Sequence, residues 1–175
     1  MRRLFIAINL PENIKREIKN IISEIELDAD AHWTPPENWH LTLTFLGYQM
    51  NESIPEITKS MEQTIEALSR EIALEKKIKI EFEKIILAPP HKPSRMIWLV
   101  GSKETSKILG EIKNKLEDEL VKNGVRFKRE NRGYNAHLTL ARFQPILRTS
   151  DVLNMDVRRP KIENISFTAQ SLDLM

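Results

Sequence analysis

The tetrapeptide His-Leu-Thr-Leu occurs twice in this chain, at positions 40–43 and 137–140. Each copy lies in a short run, Trp39 to Gly47 and Ala136 to Phe143, in which large apolar and polar residues alternate. A period of two is that of a half-buried strand, in which residues i and i+2 share a face. His40 and Thr42 therefore point one way and Leu41 and Leu43 the other. The same division sets His137 and Thr139 against Leu138 and Leu140. Each copy places an imidazole beside a hydroxyl on a rigid element.

The elements around the two copies repeat as well. Arg3 to Leu10 reads as a buried strand closed by Pro11, and Ile14, Ile18, Ile21, Ile22 and Ile25 recur at the spacing of an amphipathic helix over 13–27. Asp28 to Asn38, with Pro35 and Pro36, is expected to be a loop leading into the first motif strand. Ser53-Ile54-Pro55-Glu56 has the form of a capping box, opening a helix that carries Ile54, Ile57, Met61, Ile65, Leu68 and Ile72. Ile78, Ile80 and Phe82 alternate with Lys79, Glu81 and Glu83 in a strand that ends near Leu87, and the proline-rich stretch Ala88 to Ser94 separates the halves. The second half runs through a strand over 95–100 and a helix over 102–123 with Ile108, Ile112, Leu116 and Leu120 on one face, stopped by Gly124. A short strand at 125–127, a basic loop over 128–135, the second motif strand, a loop or short helix near 149–154 and a last strand over 162–174 complete it. Arg3 precedes His40 by 37 residues and Arg95 precedes His137 by 42.

This pattern predicts an α+β fold of two similar lobes related by an approximate twofold, each a β-sheet backed by helices, with a cleft between them. All of 1–175 is expected to form one domain, with repeat halves at about 1–88 and 95–175. If the motif strands face each other across the cleft, two histidines and two threonines converge on one ligand.

Two imidazoles suit proton transfer in both directions near neutral pH, because an unperturbed histidine pKa of about 6.5 lets one ring act as base while another acts as acid. Threonine hydroxyls donate hydrogen bonds to the non-bridging oxygens of a phosphate. The constellation suits phosphodiester cleavage without a metal. No cysteine is present, which excludes disulfides and thiolate chemistry, and no acidic residue stands near either motif at the spacing of a catalytic zinc site. Neither a metal nor another cofactor is expected.

Charge favours a polyanionic ligand. The net charge is +2, but the stretch 122–148 holds seven basic residues (Lys122, Arg126, Lys128, Arg129, Arg132, Arg142 and Arg148) against Glu130, a balance of +6, so the rest of the chain sums to −4. The alternative for such a cluster is a solvated loop. No run approaches the roughly 20 apolar residues that span a bilayer. The apolar N-terminal run ends at Pro11, too short and without the cleavage site of a signal peptide, so a cytoplasmic protein is expected, with no membrane contact and no obligate protein partner evident.

The paired His-x-Thr-x motifs, the opening Arg2-Arg3-Leu4-Phe5-Ile6-Ala7-Ile8 and the run His137-Leu138-Thr139-Leu140-Ala141-Arg142 resemble the 2H phosphoesterase superfamily. Within it, the resemblance is strongest to the RNA 2',3'-cyclic phosphodiesterases, also called 2'-5' RNA ligases. It departs from that family at Ala136, where a proline is usual, and in stopping at Met175, where a serine-containing stretch usually follows. The resemblance implies an enzyme that opens RNA 2',3'-cyclic phosphate ends, tRNA fragments among them, to 2'-phosphates, with 2'-5' ligation as the reverse activity. It assigns His40 as acid, His137 as base, Thr42 and Thr139 as phosphate donors and Arg142 as a bidentate clamp. In a flat strand positions 139 and 142 face opposite ways, so that role for Arg142 requires a bulge. The alternatives are a related phosphodiesterase acting on a small cyclic nucleotide or a 2'-5' oligonucleotide, and a non-catalytic RNA-end-binding module. His32 and His91 read as surface residues in proline-flanked loops, and Trp33, Trp39 and Phe5 as core or lobe packing, with stacking on bases as the alternative.

Overall fold

The computed structural model describes residues 1–25, 31–71, 78–89, 94–143, 162 and 165–175. The expectations for His91, Arg148, Ile72 and the segment 149–154 lie outside them. The elements run β1 (Arg2–Asn9), α1 (Glu12–Ser23), β2 (Ala31–Trp33), β3 (His40–Gln49), α2 (Ile54–Glu71), β4 (Lys79–Ala88), β5 (Met96–Gly101), α3 (Lys103–Lys122), β6 (His137–Phe143), β7 (Ser166–Thr168) and β8 (Asp173–Leu174). Single turns of 3-10 helix, Pro36–Asn38 and Asn51–Ser53, lead into β3 and α2. The mixed α+β architecture is the one the alternating patterns predict.

Local chemistry accounts for the element ends. Ser102 caps α3, its Oγ accepting from the Thr105 amide at 3.1 Å, and Gly124 takes the left-handed conformation at φ 79° that stops it. The apolar stripe of α3, with Leu109, Ile112, Leu116 and Leu120 buried, joins one core with Ile14 and Ile18 of α1 and the inward leucines and isoleucines of the strands.

Among the described residues all strand pairs are antiparallel, and they form a three-stranded sheet in the order β3-β1-β8 and a five-stranded sheet in the order β2-β6-β5-β4-β7. The sheets are not built from one half of the chain each. β2 and β4 lie before residue 89 yet pair with β6 and β5, whereas β8, at the far end of the chain, pairs with β1.

Three local expectations are corrected. The stretch 28–38 holds a short strand, because β2 finds in β6 a pairing partner that its own sequence cannot reveal, with Trp33 opposite Ala141. No strand forms at 125–127: the Val125 amide donates to Leu120 O at 2.9 Å and Arg126 O accepts from Gln49 Nε2 at 2.8 Å, so this backbone closes a helix and binds a side chain. The expected last strand is two short ones in different sheets, since β7 pairs with β4 and β8 with β1.

The motif strands share one register. Phe5, Ile6, Ala7, Ile8 and Asn9 of β1 face Phe45, Thr44, Thr42, Leu41 and His40 of β3. Met96, Ile97, Trp98, Leu99 and Val100 of β5 face Arg142, Ala141, Thr139, Leu138 and His137 of β6. Each ladder skips a residue three places after its histidine, Leu43 in the first and Leu140 in the second, which is a β-bulge at the same place in both copies, and the first ladder skips Leu46 as well.

A buried ionic cluster ties α3 to the first of these bulges. Lys113 and Glu117 are 5% and 3% exposed and pair at 2.8 Å. Glu117 Oε1 also accepts from Thr44 Oγ1 at 2.9 Å, just past the bulge, and its Oε2 lies 3.5 Å from Arg129 Nε. Lys113 Nζ donates to Glu130 O at 3.3 Å. Removing one partner strands a buried charge, whereas removing both does not. Lys113→Met is therefore expected to lower the unfolding free energy by about 3 kcal/mol. Lys113→Met with Glu117→Leu should cost less than the single change, as read from urea denaturation midpoints.

Candidate active site

His40 and His137 are the first residues of β3 and β6, and both are half-buried. The bulges decide what shares a face with them. Leu138 and Leu140 are buried, but after the skipped residue the buried positions become Ala141 and Phe143, and Arg142 returns to the side of His137 and Thr139. The bulge that the expected clamping role would require is thus present. Arg142 is exposed, and its Nη1 lies 3.2 Å from Met96 Sδ of the neighbouring strand. In β3 the same slip brings Phe45, 52% exposed, to the side of His40 and Thr42. Phe45 had a sequence signal that went unused: it stands five residues after its histidine, as Arg142 does.

The two strands are adjacent in space. Tyr134, three residues before His137, donates its phenol to the carbonyl of Thr42 at 2.8 Å and so ties one motif to the other. Burial pushes the Tyr134 pKa far above the usual phenol value, which keeps it a donor. A groove of about 590 Å³ opens beside His137, lined by Trp98, Tyr134, Lys84 and, on α3, Lys103 and Lys107.

An asparagine precedes each histidine by two positions, Asn38 and Asn135, so the repeat is longer than the tetrapeptide. The carbonyl of Asn135 lies 2.8 Å from His137 Nδ1. A carbonyl can only accept, so Nδ1 carries the proton and Nε2 presents a lone pair. At His40, Nδ1 is buried without a hydrogen bond of ordinary geometry. Burial lowers the pKa of His40, opposed by the Asn38 carbonyl. It also lowers that of His137, opposed by the Asn135 carbonyl and Glu130 and reinforced by Arg132.

Aromatic rings flank the two histidines differently. Trp98 stacks on His137 with centroids 3.9 Å apart and planes at 27°. His40 meets the Phe5 ring at 4.8 Å, and Phe5 in turn lies 6.0 Å from Phe45. Phe5 is therefore beside the site as well as packed. Trp39 is core, 2% exposed, with Nε1 donating to Thr34 O at 2.8 Å. Trp33 is 37% exposed on β2 and is not core: its short edge strand covers only one side. His32 is exposed, as expected, but sits on β2 opposite Arg142 rather than in a loop.

The basic segment is partly neutralised. Arg129 pairs with Asp118 and lies near Glu117, and Arg132 bonds Glu130 at 2.8 Å. Arg126 and Lys128 have no ion pair among the described residues. Among the same residues no three His, Asp or Glu side chains converge as a metal would need, and no helix is long and apolar enough to cross a membrane.

A family model described as LigT-like phosphoesterase matches residues 8–98, a span that holds the first motif. An RNA 2',3'-cyclic phosphodiesterase of Archaeoglobus fulgidus is 30% identical over 141 residues, 80% of this chain and 72% of its own length. A protein of the same name from Methanocaldococcus jannaschii is 32% identical over 140 residues, 80% of this chain and 70% of its own. The chain belongs to the LigT-like phosphoesterase family. Its fold is also that of E. coli LigT complexed with 3'-AMP, with a TM-score of 0.72 at 21% identity over 99% of this chain and 86% of the other. The second motif lies beyond the stretch matched by the family model, and its equivalence to the first rests on the shared register and bulge.

With burial the leading influence on both rings, the ring protons of His40 and His137 are each expected to titrate with midpoints below about 6.5. Proton NMR of the free protein, assigned with His40→Gln and His137→Gln, measures this. Midpoints at or above that value would show both rings to be better solvated than their half-buried positions imply.

Proposed function

We propose that this LigT-like phosphoesterase is an RNA 2',3'-cyclic phosphodiesterase that opens cyclic phosphate ends, such as those of tRNA fragments, to 2'-phosphates. The observation that carries the reading is the pair of His-x-Thr strands with one register and one bulge, which puts an imidazole, a hydroxyl and a further side chain on one face twice over. The relatives that bear that name, matched over most of this chain, support it. The two sheets act as two lobes of one domain, with RNA as the ligand of the surface between the motifs.

Water attacks phosphorus and loses a proton to Nε2 of His137, the nitrogen left with a lone pair by the Asn135 carbonyl. The phosphorus bond to the 3'-oxygen breaks in line with the attack, and His40 supplies the proton that oxygen needs. Burial favours the neutral form of both rings in the free protein, so the acid must be charged by the substrate: a bound phosphate anion raises the pKa of a nearby imidazole. Thr42 and Thr139 donate to the non-bridging oxygens, and Arg142 neutralises charge that develops there. A 5'-hydroxyl of another RNA end in place of water would give 2'-5' ligation by the same two proton transfers. Hydrolysis is favoured because ligation must align two ends.

His40→Ala and His137→Ala are each expected to lower kcat for a cyclic dinucleotide by about 10²- to 10⁴-fold, and the double variant to be little worse than either. A substrate with a better 3'-leaving group should partly rescue His40→Ala and leave His137→Ala inactive. Equal rescue, or a 3'-phosphate product, would reverse or refute the assigned roles.

Thr139→Ala should lose about 10²- to 10³-fold in kcat while unfolding like the parent protein, as for a lost oxyanion donor. The wild-type rate should survive exhaustive chelation. A chelated protein revived only by a divalent cation would refute a mechanism built on imidazoles and hydroxyls.

A further inference from the structure

The two motif strands share their tetrapeptide, its register and the bulge at Leu43 and Leu140, and differ beyond it, where Phe45 stands in one and Arg142 in the other. A difference closer to the rings lies on the neighbouring strands. Opposite Thr139 stands Trp98, and at the same register opposite Thr42 stands Ala7. The indole of Trp98 stacks on the His137 ring with centroids 3.9 Å apart, whereas His40 meets the smaller ring of Phe5 at 4.8 Å, tilted by 30°.

We propose that Trp98 is the positioning residue that makes His137 the base of the pair, by clamping the imidazole from its face while the Asn135 carbonyl holds it from Nδ1. Two constraints in different directions fix a planar ring: the hydrogen bond at 2.8 Å sets its rotation, and the stack sets its tilt. Nε2 is then aimed at one place with a lone pair. His40 has neither constraint in the same form, since its Nδ1 makes no hydrogen bond of ordinary geometry and Ala7 offers no ring.

Packing alone does not account for an indole here. Trp98 Nε1 is buried and has no hydrogen-bond partner among the described residues, a cost that a phenylalanine or leucine would avoid. The large flat surface against His137 is what the indole adds. Stacking also excludes water from one face of the imidazole and so disfavours its charged form, in the direction of the lowered His137 pKa.

Of the charged groups nearby, Arg142 shares the face of His137 at an exposed position, and the others are of mixed sign. In the loop before β6, Arg132 lowers the His137 pKa and Glu130 raises it. From β4, Lys84 and Glu83 line the groove beside the ring, and from α3, Lys103, Lys107 and Glu111 do so, a mixture of signs at exposed positions where solvent screens it.

This inference rests on the proposed phosphodiesterase reading, and its test keeps the two apart. The His137 ring protons are followed by NMR across pH in the free wild type, Trp98→Ala and Trp98→Phe, and the pH dependence of kcat/KM is measured for a cyclic dinucleotide. In Trp98→Ala the His137 ring signals should lose the upfield shift produced by the indole, and their midpoint should rise toward about 6.5. The His40 midpoint should stay in place. The acid limb of kcat/KM should move with His137, and the maximum should fall by about 10- to 100-fold as the ring loses its aim. Trp98→Phe should restore most of both. An unmoved His137 midpoint and acid limb in Trp98→Ala, or an equal shift at His40, would overturn the proposal with the phosphodiesterase reading intact. A wild type that opens no cyclic phosphate would instead refute that reading, and with it the role of base, even if the stack shifts the ring.

Discussion

The extra residue at one shared place in each motif strand, Leu43 in β3 and Leu140 in β6, governs what the fold can present. A regular strand sends residues i+2 and i+5 from the histidine to opposite faces. With the bulge, Arg142 joins His137 and Thr139, and Phe45 joins His40 and Thr42. The same slip places two consecutive residues, Leu43 and Thr44 in one strand and Leu140 and Ala141 in the other, against the interior. The core accommodates this differently in the two copies. Ala141 is small and apolar, whereas Thr44 brings a hydroxyl inward and is met by Glu117 of α3.

That meeting explains a buried ion pair that would otherwise be costly. Lys113 and Glu117 are taken out of water on the inner side of α3, where a pair of apolar residues would pack at least as well. What the pair adds is direction: Glu117 bonds Thr44 and Lys113 and lies near Arg129, while Lys113 reaches the backbone at Glu130. A helix of the second half is thereby locked to the bulge of the first motif and to the loop that leads into the second. Tyr134, emerging from that loop and packing against Gly110 of α3, completes the link by bonding the Thr42 carbonyl.

Near-symmetry of backbone and asymmetry of side chains serve different ends. The repeated register presents like groups from two directions, as in-line displacement at phosphorus requires of its two proton carriers. The side chains that break the symmetry, Trp98 against Ala7 and Arg142 against Phe45, give the two ends of the candidate site different chemistry. An aromatic face beside His40 suits a base, and a guanidinium beside His137 suits a phosphate. A cleft built from identical halves could not tell the attacking oxygen from the leaving one.

Much of this was legible along the chain because it depends on local periodicity. The period of two placed His40 with Thr42 and His137 with Thr139, the three-and-four spacing placed α1, α2 and α3, and the duplicated tetrapeptide marked the site. The repeated asparagine two residues earlier and the matched positions of Phe45 and Arg142 were also written there. Only tertiary structure decided the rest, since it depends on which distant segment supplies a partner. β2 exists because β6 lies beside it, β4 and β8 cross to the other half's sheet, and 125–127 is no strand because Leu120 and Gln49 take its backbone groups. The bulges belong to this second class. One residue without a partner is a property of two strands in register, and no single strand's sequence contains it.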